Sequence, residues 1–377
     1  MQTPRLSIGS MLQISGSDQW IHNAFCAIDS NGSLITWYCP AVDDRPEACH
    51  AATLDDKLRG HGAIINGADP HCAIHAGQFY ISSTLLKNGK YCISITEHNR
   101  DMQQVHTTVV AEGLGGLCDM PLLSVISGDV CSTYISTEHE LTTCFLDGRT
   151  LRKRLSAPGP ILEVHVASDG ARIIAAAQLE KSIMVLRMEE HGWQEFCRIT
   201  LGAELSKLMR WTVSVHANEA MVALDCTSGL WILKLDLRTG RISEPAIICT
   251  LGKFPALART EVGWVLAWAG APPIELNLQH DERRAERNAV QMARCMSEIH
   301  AANIWSALWL GSLDAAGRCT AVEGPLADVN QVHFGIEIAY ADPSGILLWR
   351  SSSPDLTEEE LPQHCILMCR TFTIGAQ

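Results

Sequence analysis

The chain has 377 residues, a net charge of -13 and a pI near 5.6, with 47% hydrophobic and 19% charged residues. That much apolar material excludes general disorder and supplies a sizeable core. The acidic balance excludes a nonspecific binder of nucleic acid or of anionic membranes, whose surfaces repel it.

Along the chain an apolar strand, a short polar turn and a second apolar strand recur. NAFCAIDSNGSLITWYCP, from Asn23 to Pro40, turns at Ser30-Asn31-Gly32. FYISSTLLKNGKYCISIT turns at Lys87-Asn88-Gly89, where both central residues of an Asn-Gly pair tolerate positive φ. CSTYISTEHELTTCFLDG turns near His139, ARIIAAAQLEKSIMVLRM near Lys181, and MVALDCTSGLWILKLD at Thr227-Ser228-Gly229. GWVLAWAGAPPIELNL is expected to bend at Ala271-Pro272-Pro273, and GIEIAYADPSGILLWR at Pro343-Ser344-Gly345. Most separations between successive turns fall near about 40 to 50 residues, the period of β-propeller blades, while the first and last are longer.

A four-stranded blade buries neither face alone, so blades must stack around an axis until the ring closes. The length fits one all-β domain over residues 1–377, with seven blades of four antiparallel strands. HTTVV (106–110) and EFCRITL (195–201) are candidate outer strands. From Asp281 to Ile299 the pattern changes: Ala285, Ala289, Met292, Met296 and Ile299 form a helical stripe with Asp281 as N-cap, predicting a helical insertion over 279–303. IWSALWLGSLDAAGRCTAV then supplies either the outer pair of the sixth blade or the inner pair of an eighth, and its spacing favours seven blades. Closure is expected to pair LSIGSML, near the amino terminus, with CILMCRTFTI (365–374).

This pattern resembles the WD40-like β-propellers over nearly the whole chain. The hallmark residues do not follow: no blade ends in Trp-Asp, and ITWY (35–38) and LLWR (347–350) offer only a tryptophan in the corresponding strand. Sialidase-type Asp boxes are absent, ASDGARI (167–173) keeping only the turn. The resemblance therefore implies a fold and transfers no functional residue.

Motif chemistry is sparse. There is no phosphate-binding Gly-x-x-x-x-Gly-Lys-Ser/Thr loop, AEGLGGLCD (111–119) reading as a blade connection, and no Gly-x-Ser-x-Gly elbow. HCAIH places His71, Cys72 and His75 near His61 and the stretch holding Asp43, Asp44, Glu47, Cys49, His50, Asp55 and Asp56. Without paired Cys-x-x-Cys ligands it reads as a strand, so no metal and no cofactor are expected. Glu163, His165, His216, His333 and Glu337 fall at or near predicted inner strands, where side chains line a central channel, and Glu163 and His165 share a face by the two-residue period of a strand. Such groups form a catalytic cluster or simply hold water.

The 15 cysteines are odd in number and mostly embedded in apolar runs, as at Cys92, Cys144, Cys226, Cys365 and Cys369, which suggests a reducing compartment. The amino terminus lacks an apolar signal region, and no run approaches the roughly 18 apolar residues of a membrane span. The resulting expectation is a cytoplasmic, noncatalytic scaffold that binds a protein partner through exposed anchors, with Trp193, Trp211, Trp305, Met292 and Met296 as candidates. The alternatives are a lactonase-type or phosphoesterase-type propeller enzyme using the channel with a divalent ion, and a sensor of small ligands or glycans.

Overall fold

The computed structural model describes residues 5–16, 20–41, 47–55, 60–114, 121–155, 159–169, 171–189, 192–202, 208–261, 263–271, 273, 307–328, 331–353 and 363–375. They form seven antiparallel sheets of four strands each. The first blade comprises Asn23–Asp29, Gly32–Cys39, Ala48–Leu54 and Gly62–Ile65, and the second Ala68–His75, Gln78–Lys87, Lys90–His98 and Gln104–Leu114. The third comprises Leu122–Ile126, Asp129–Thr137, Glu140–Phe145 and Thr150–Arg154, and the fourth Glu163–Ser168, Ile173–Leu179, Ser182–Glu189 and Gly192–Thr200. The fifth comprises Leu208–His216, Glu219–Cys226, Gly229–Asp236 and Ala246–Cys249, and the sixth Gly252–Arg259, Trp264–Gly270, Leu308–Leu313 and Cys319–Glu323. The seventh joins Val332–Ala341, Ser344–Ser352 and Cys365–Gly375 to Arg5–Gln13 from the start of the chain.

The first strand of each blade adjoins its counterparts in the two neighbouring blades, and the seventh meets the first, so these seven strands surround a common axis. Closure is made by Leu6 opposite Ile374 and Leu12 opposite Cys369, the pairing expected from the two terminal segments.

Local chemistry explains the corners. Asn88 and Gly89 adopt φ of 54° and 75°, the geometry that lets a two-residue turn match the twist of its strands. At the corner between third and fourth strands of four blades, a side-chain oxygen caps the turn by accepting a backbone N–H two residues on. Asn99 accepts from Asp101 at 3.1 Å, Asp147 from Arg149 at 2.9 Å, Asp236 from Arg238 at 2.8 Å and Asp314 from Ala316 at 2.8 Å.

The core is distributed among the junctions. Ile174, Ile183 and Val185 of the fourth blade pack against Trp211, Val222 and Leu233 of the fifth, and comparable clusters join the other neighbours. Burial against a neighbour is thus what stabilises each sheet, at about 25 cal/mol per Å² of apolar surface. The junction of the second and third blades has only small clusters. A hydroxyl shares its interior: Ser82 donates to the Pro121 carbonyl at 2.6 Å.

One predicted hairpin is replaced. Trp264–Gly270 does not fold back at Ala271-Pro272-Pro273; its partners are Gly252–Arg259 on one side and Leu308–Leu313 on the other. The segment around Leu308 therefore belongs to the outer half of the sixth blade. The helix expected over 281–299 lies outside the described residues, as do Met292, Met296 and Trp305.

Candidate functional site

A cavity of about 330 Å³ lies on the ring axis. Every blade contributes to its wall: Phe25, His71, Tyr134, Glu163 and His165, Trp211, Pro255 and Glu337 come from the first to the seventh in turn. Glu163 and Leu122 are the first residues of their strands, while His71, Trp211, Pro255 and Glu337 lie within theirs.

Glu163 and His165 point the same way, as alternation requires, and Glu163 Oε1 lies 3.1 Å from His165 Nε2. The His165 ring is held against Trp211, with centroids 4.3 Å apart and an interplanar angle of 60°. Burial pushes the Glu163 carboxyl upward, but the His165 hydrogen bond and charge, the nearby Arg210 guanidinium and the Trp211 indole outweigh it and hold the group below its usual range. Arg210 is exposed.

His71 enters from the second blade. Its Nδ1 accepts the Leu123 backbone N–H at 3.2 Å, leaving the proton of the neutral ring on Nε2, and its ring packs on Phe25 at 4.5 Å. Burial, aided by the charge of His165, brings His71 down to about 4.

Glu337 owes its place to an irregularity. In the seventh blade Phe334 pairs with Arg350 and Glu337 with Leu348, so three steps on the inner strand oppose two on its neighbour. This bulge breaks the alternation and turns Glu337 to the face that carries Phe334 and Arg350. Burial pushes the Glu337 carboxyl up to about 8, opposed by the Arg350 guanidinium. A carboxyl that keeps its proton at neutral pH and one that loses it readily therefore line one cavity.

The same bulge separates His333 from Glu337. His333 is 0% exposed, with Nδ1 2.9 Å from the Ser351 hydroxyl and Nε2 donating to the Asp328 carbonyl at 3.1 Å. It belongs to the interior and does not line the cavity. His216 is exposed at the last position of its strand, five residues beyond Trp211, or about 16 Å along the channel.

Trp193 and Trp211 are 2% and 3% exposed: Trp193 is an internal wedge between blades and Trp211 borders the axial cavity, so neither stands on the outer surface as an anchor for a protein partner. In HCAIH, Cys72 turns from the channel and donates to the Leu34 carbonyl at 3.8 Å, while His75 ends the strand four residues past His71. Among the described residues no three His, Cys, Asp or Glu side chains converge where a metal could be held. Sequence reasoning did not single out Arg210 or Arg350; an isolated glycine in the strand VHFGIEI is the one signal that marks the bulge beside Arg350.

No family model matches the sequence, and no curated protein matches it. Solved structures do. Phage phi92 endosialidase superposes with a TM-score of 0.53 at 6% identity, covering 98% of this chain and 70% of that one. A Trypanosoma rangeli sialidase bound to the inhibitor DANA has a TM-score of 0.46 at 10% identity, covering 98% and 60%. A neuraminidase-like protein of subtype N10 from a bat influenza A virus has 0.41 at 8%, covering 98% and 100%.

The likeness to the endosialidase is one of fold, and it corrects the WD40-like assignment: the ring has the form of an endosialidase propeller. The axial cavity corrects the expectation of a noncatalytic scaffold: it holds converging ionisable groups, which a scaffold does not require. Among the described residues no helix is long and apolar enough to cross a membrane.

Proposed function

We propose that this chain is a glycoside hydrolase whose centre is the axial cavity and whose substrates are sialic-acid-bearing glycans. The observation that carries this reading is the pair of carboxyls, Glu163 and Glu337, displaced in opposite directions within one cavity. Glu337, protonated at neutral pH, donates its proton to the leaving oxygen as the glycosidic C–O bond breaks. Glu163, ionised and hydrogen-bonded to His165, stabilises the developing positive charge at the anomeric carbon and either attacks it or deprotonates the incoming water. Arg210, whose charge acts on Glu163, is assigned the pairing with an acidic sugar's carboxylate. The fold likeness to an endosialidase supports the choice of sugar. Thiols such as Cys131, Cys226 and Cys369, which sit buried in the core as small apolar groups, support a reducing compartment for the protein.

The test is release of a fluorescent aglycone from a sialoside, and of sialic acid from a sialylated oligosaccharide, by the purified chain. Glu337→Gln and Glu163→Gln should each lower kcat by roughly 10²- to 10⁴-fold with unchanged thermal melting. The rate should fall on the alkaline side with a midpoint near 8, where Glu337 loses its proton. A wild-type chain inert on both substrates, or variants that hydrolyse at the wild-type rate, would overturn the reading.

A further inference from the structure

Arg350 lies outside the cavity wall, on the second strand of the seventh blade, yet it touches both the closing junction of the ring and the bulge that sets Glu337. Its Nη1 donates to the carbonyls of Ile21 and His22, each at 2.7 Å, where the chain enters the first blade. Its guanidinium stacks over the Phe334 ring at 4.7 Å from the centroid, and Phe334 in turn meets Phe254 of the sixth blade at 6.3 Å. Gly335, at φ +54°, is the first residue of the bulge, and any Cβ there would land on the Arg350 guanidinium. A side chain at 335 would therefore displace the arginine, and loss of the arginine would leave the bulge without its filling.

We infer that Arg350 is a positioning residue for Glu337: clamped by two first-blade carbonyls and seated beneath Gly335, it holds the bulge that turns the Glu337 carboxyl into the cavity. The inference rests on Glu337 as the proton donor of the proposed reaction, and it makes ring closure a condition for an ordered site. Around Glu337 stand the Cys26 and Cys72 thiols of the first two blades and Arg350 of its own, with His71, Glu163 and His165 elsewhere on the cavity wall. Both thiols are pushed upward by burial and stay neutral at pH 7. Arg350 is the charge that opposes the effect of burial on Glu337.

The test is a carbon-13 carboxyl NMR titration of Glu337 in the full chain. In Arg350→Met the midpoint should rise above that of the wild type by on the order of one pH unit. Arg350→Lys retains the charge but lacks the planar guanidinium that stacks on Phe334 and fills the space beneath Gly335, so a smaller rise is expected. Gly335→Ala should move the midpoint in the same direction as Arg350→Met by evicting the guanidinium. An unmoved midpoint in folded Arg350→Met overturns the inference; should that variant not fold, an unmoved midpoint in Arg350→Lys and Gly335→Ala does so. If the midpoint moves while the wild type hydrolyses no sialoside, the positioning role stands and the proposed activity falls.

Discussion

Trp193, at the start of the outermost strand of the fourth blade, donates its indole N–H to the Thr143 hydroxyl of the third at 2.8 Å, with both side chains buried. The bond ties the rim of one sheet to the middle of its neighbour, amid the apolar cluster of that junction. Trp193→Phe should cost about 1–2 kcal/mol, chiefly the lost hydrogen bond and the unfilled volume. Trp193→Ala should cost about 3–5 kcal/mol. Urea denaturation checks both, and equal losses in the two variants would show that the hydrogen bond, and not the volume of the ring, carries the contribution.

The junction of the fifth and sixth blades contains a charge pair of another kind. Lys253 Nζ lies 2.7 Å from Asp225 Oδ1, and the Asp225 side chain is 1% exposed. Burial raises the Asp225 carboxyl, and Lys253 draws it back without fully offsetting the effect. Lys253→Met strands a buried carboxylate and should destabilise the chain by about 3–5 kcal/mol at pH 7. The double variant Asp225→Leu with Lys253→Met should recover most of that loss, which a double-mutant cycle would reveal.

His333 makes folding sensitive to acid. Burial holds it neutral, near 4 against an ordinary value of 6.5, so the unfolded chain binds the proton more readily than the folded one. Stability from this group is present above pH 6.5 and is lost as pH falls toward 4, by an amount on the order of 3 kcal/mol. His71, displaced to about 4 as well, adds in the same direction. Glu337 acts oppositely: stability favoured by its protonated form declines as pH rises from 4.5 toward 8. Melting temperatures measured across pH 4–8 should show both slopes, and His333→Gln should flatten the acid one.

The ring was legible because its signals are local. Apolar alternation and Asn88-Gly89 reveal hairpins without reference to any distant residue, and repetition of such units points to a closed circle. The uneven spacing has a simple cause. The hairpins at Asn31-Gly32 and Pro343-Ser344 join first and second strands, whereas those at Asn88-Gly89, His139, Lys181 and Gly229 join second and third. Mixing the two kinds stretches the first interval and by itself would shorten the last, which is lengthened instead by the residues between Gly270 and Leu308. The sixth blade misled for the opposite reason, since Trp264–Gly270 takes Leu308–Leu313 as a partner from well beyond the adjacent prolines.

The site was half legible. Two-residue alternation placed Glu163 beside His165, and both stand on the axis. The same rule would set His333 and Glu337 on one face, but a single extra residue at the bulge parts them. Nothing local links Arg350 to Ile21, 329 residues earlier. Enrichment of tryptophan at binding surfaces suggested anchors at Trp193 and Trp211, where large rings instead fill the spaces between blades.

The pairing of Arg5–Gln13 with Cys365–Gly375 also sets a timetable. During synthesis the early segment leaves the ribosome long before its partner exists, while the first six sheets already have all their own strands. At roughly 5–20 residues per second the delay is tens of seconds, in which an unpaired strand is open to the wrong neighbour. The ring is thus assembled in sequence and locked last, and a nascent chain stalled before residue 365 carries an incomplete seventh sheet.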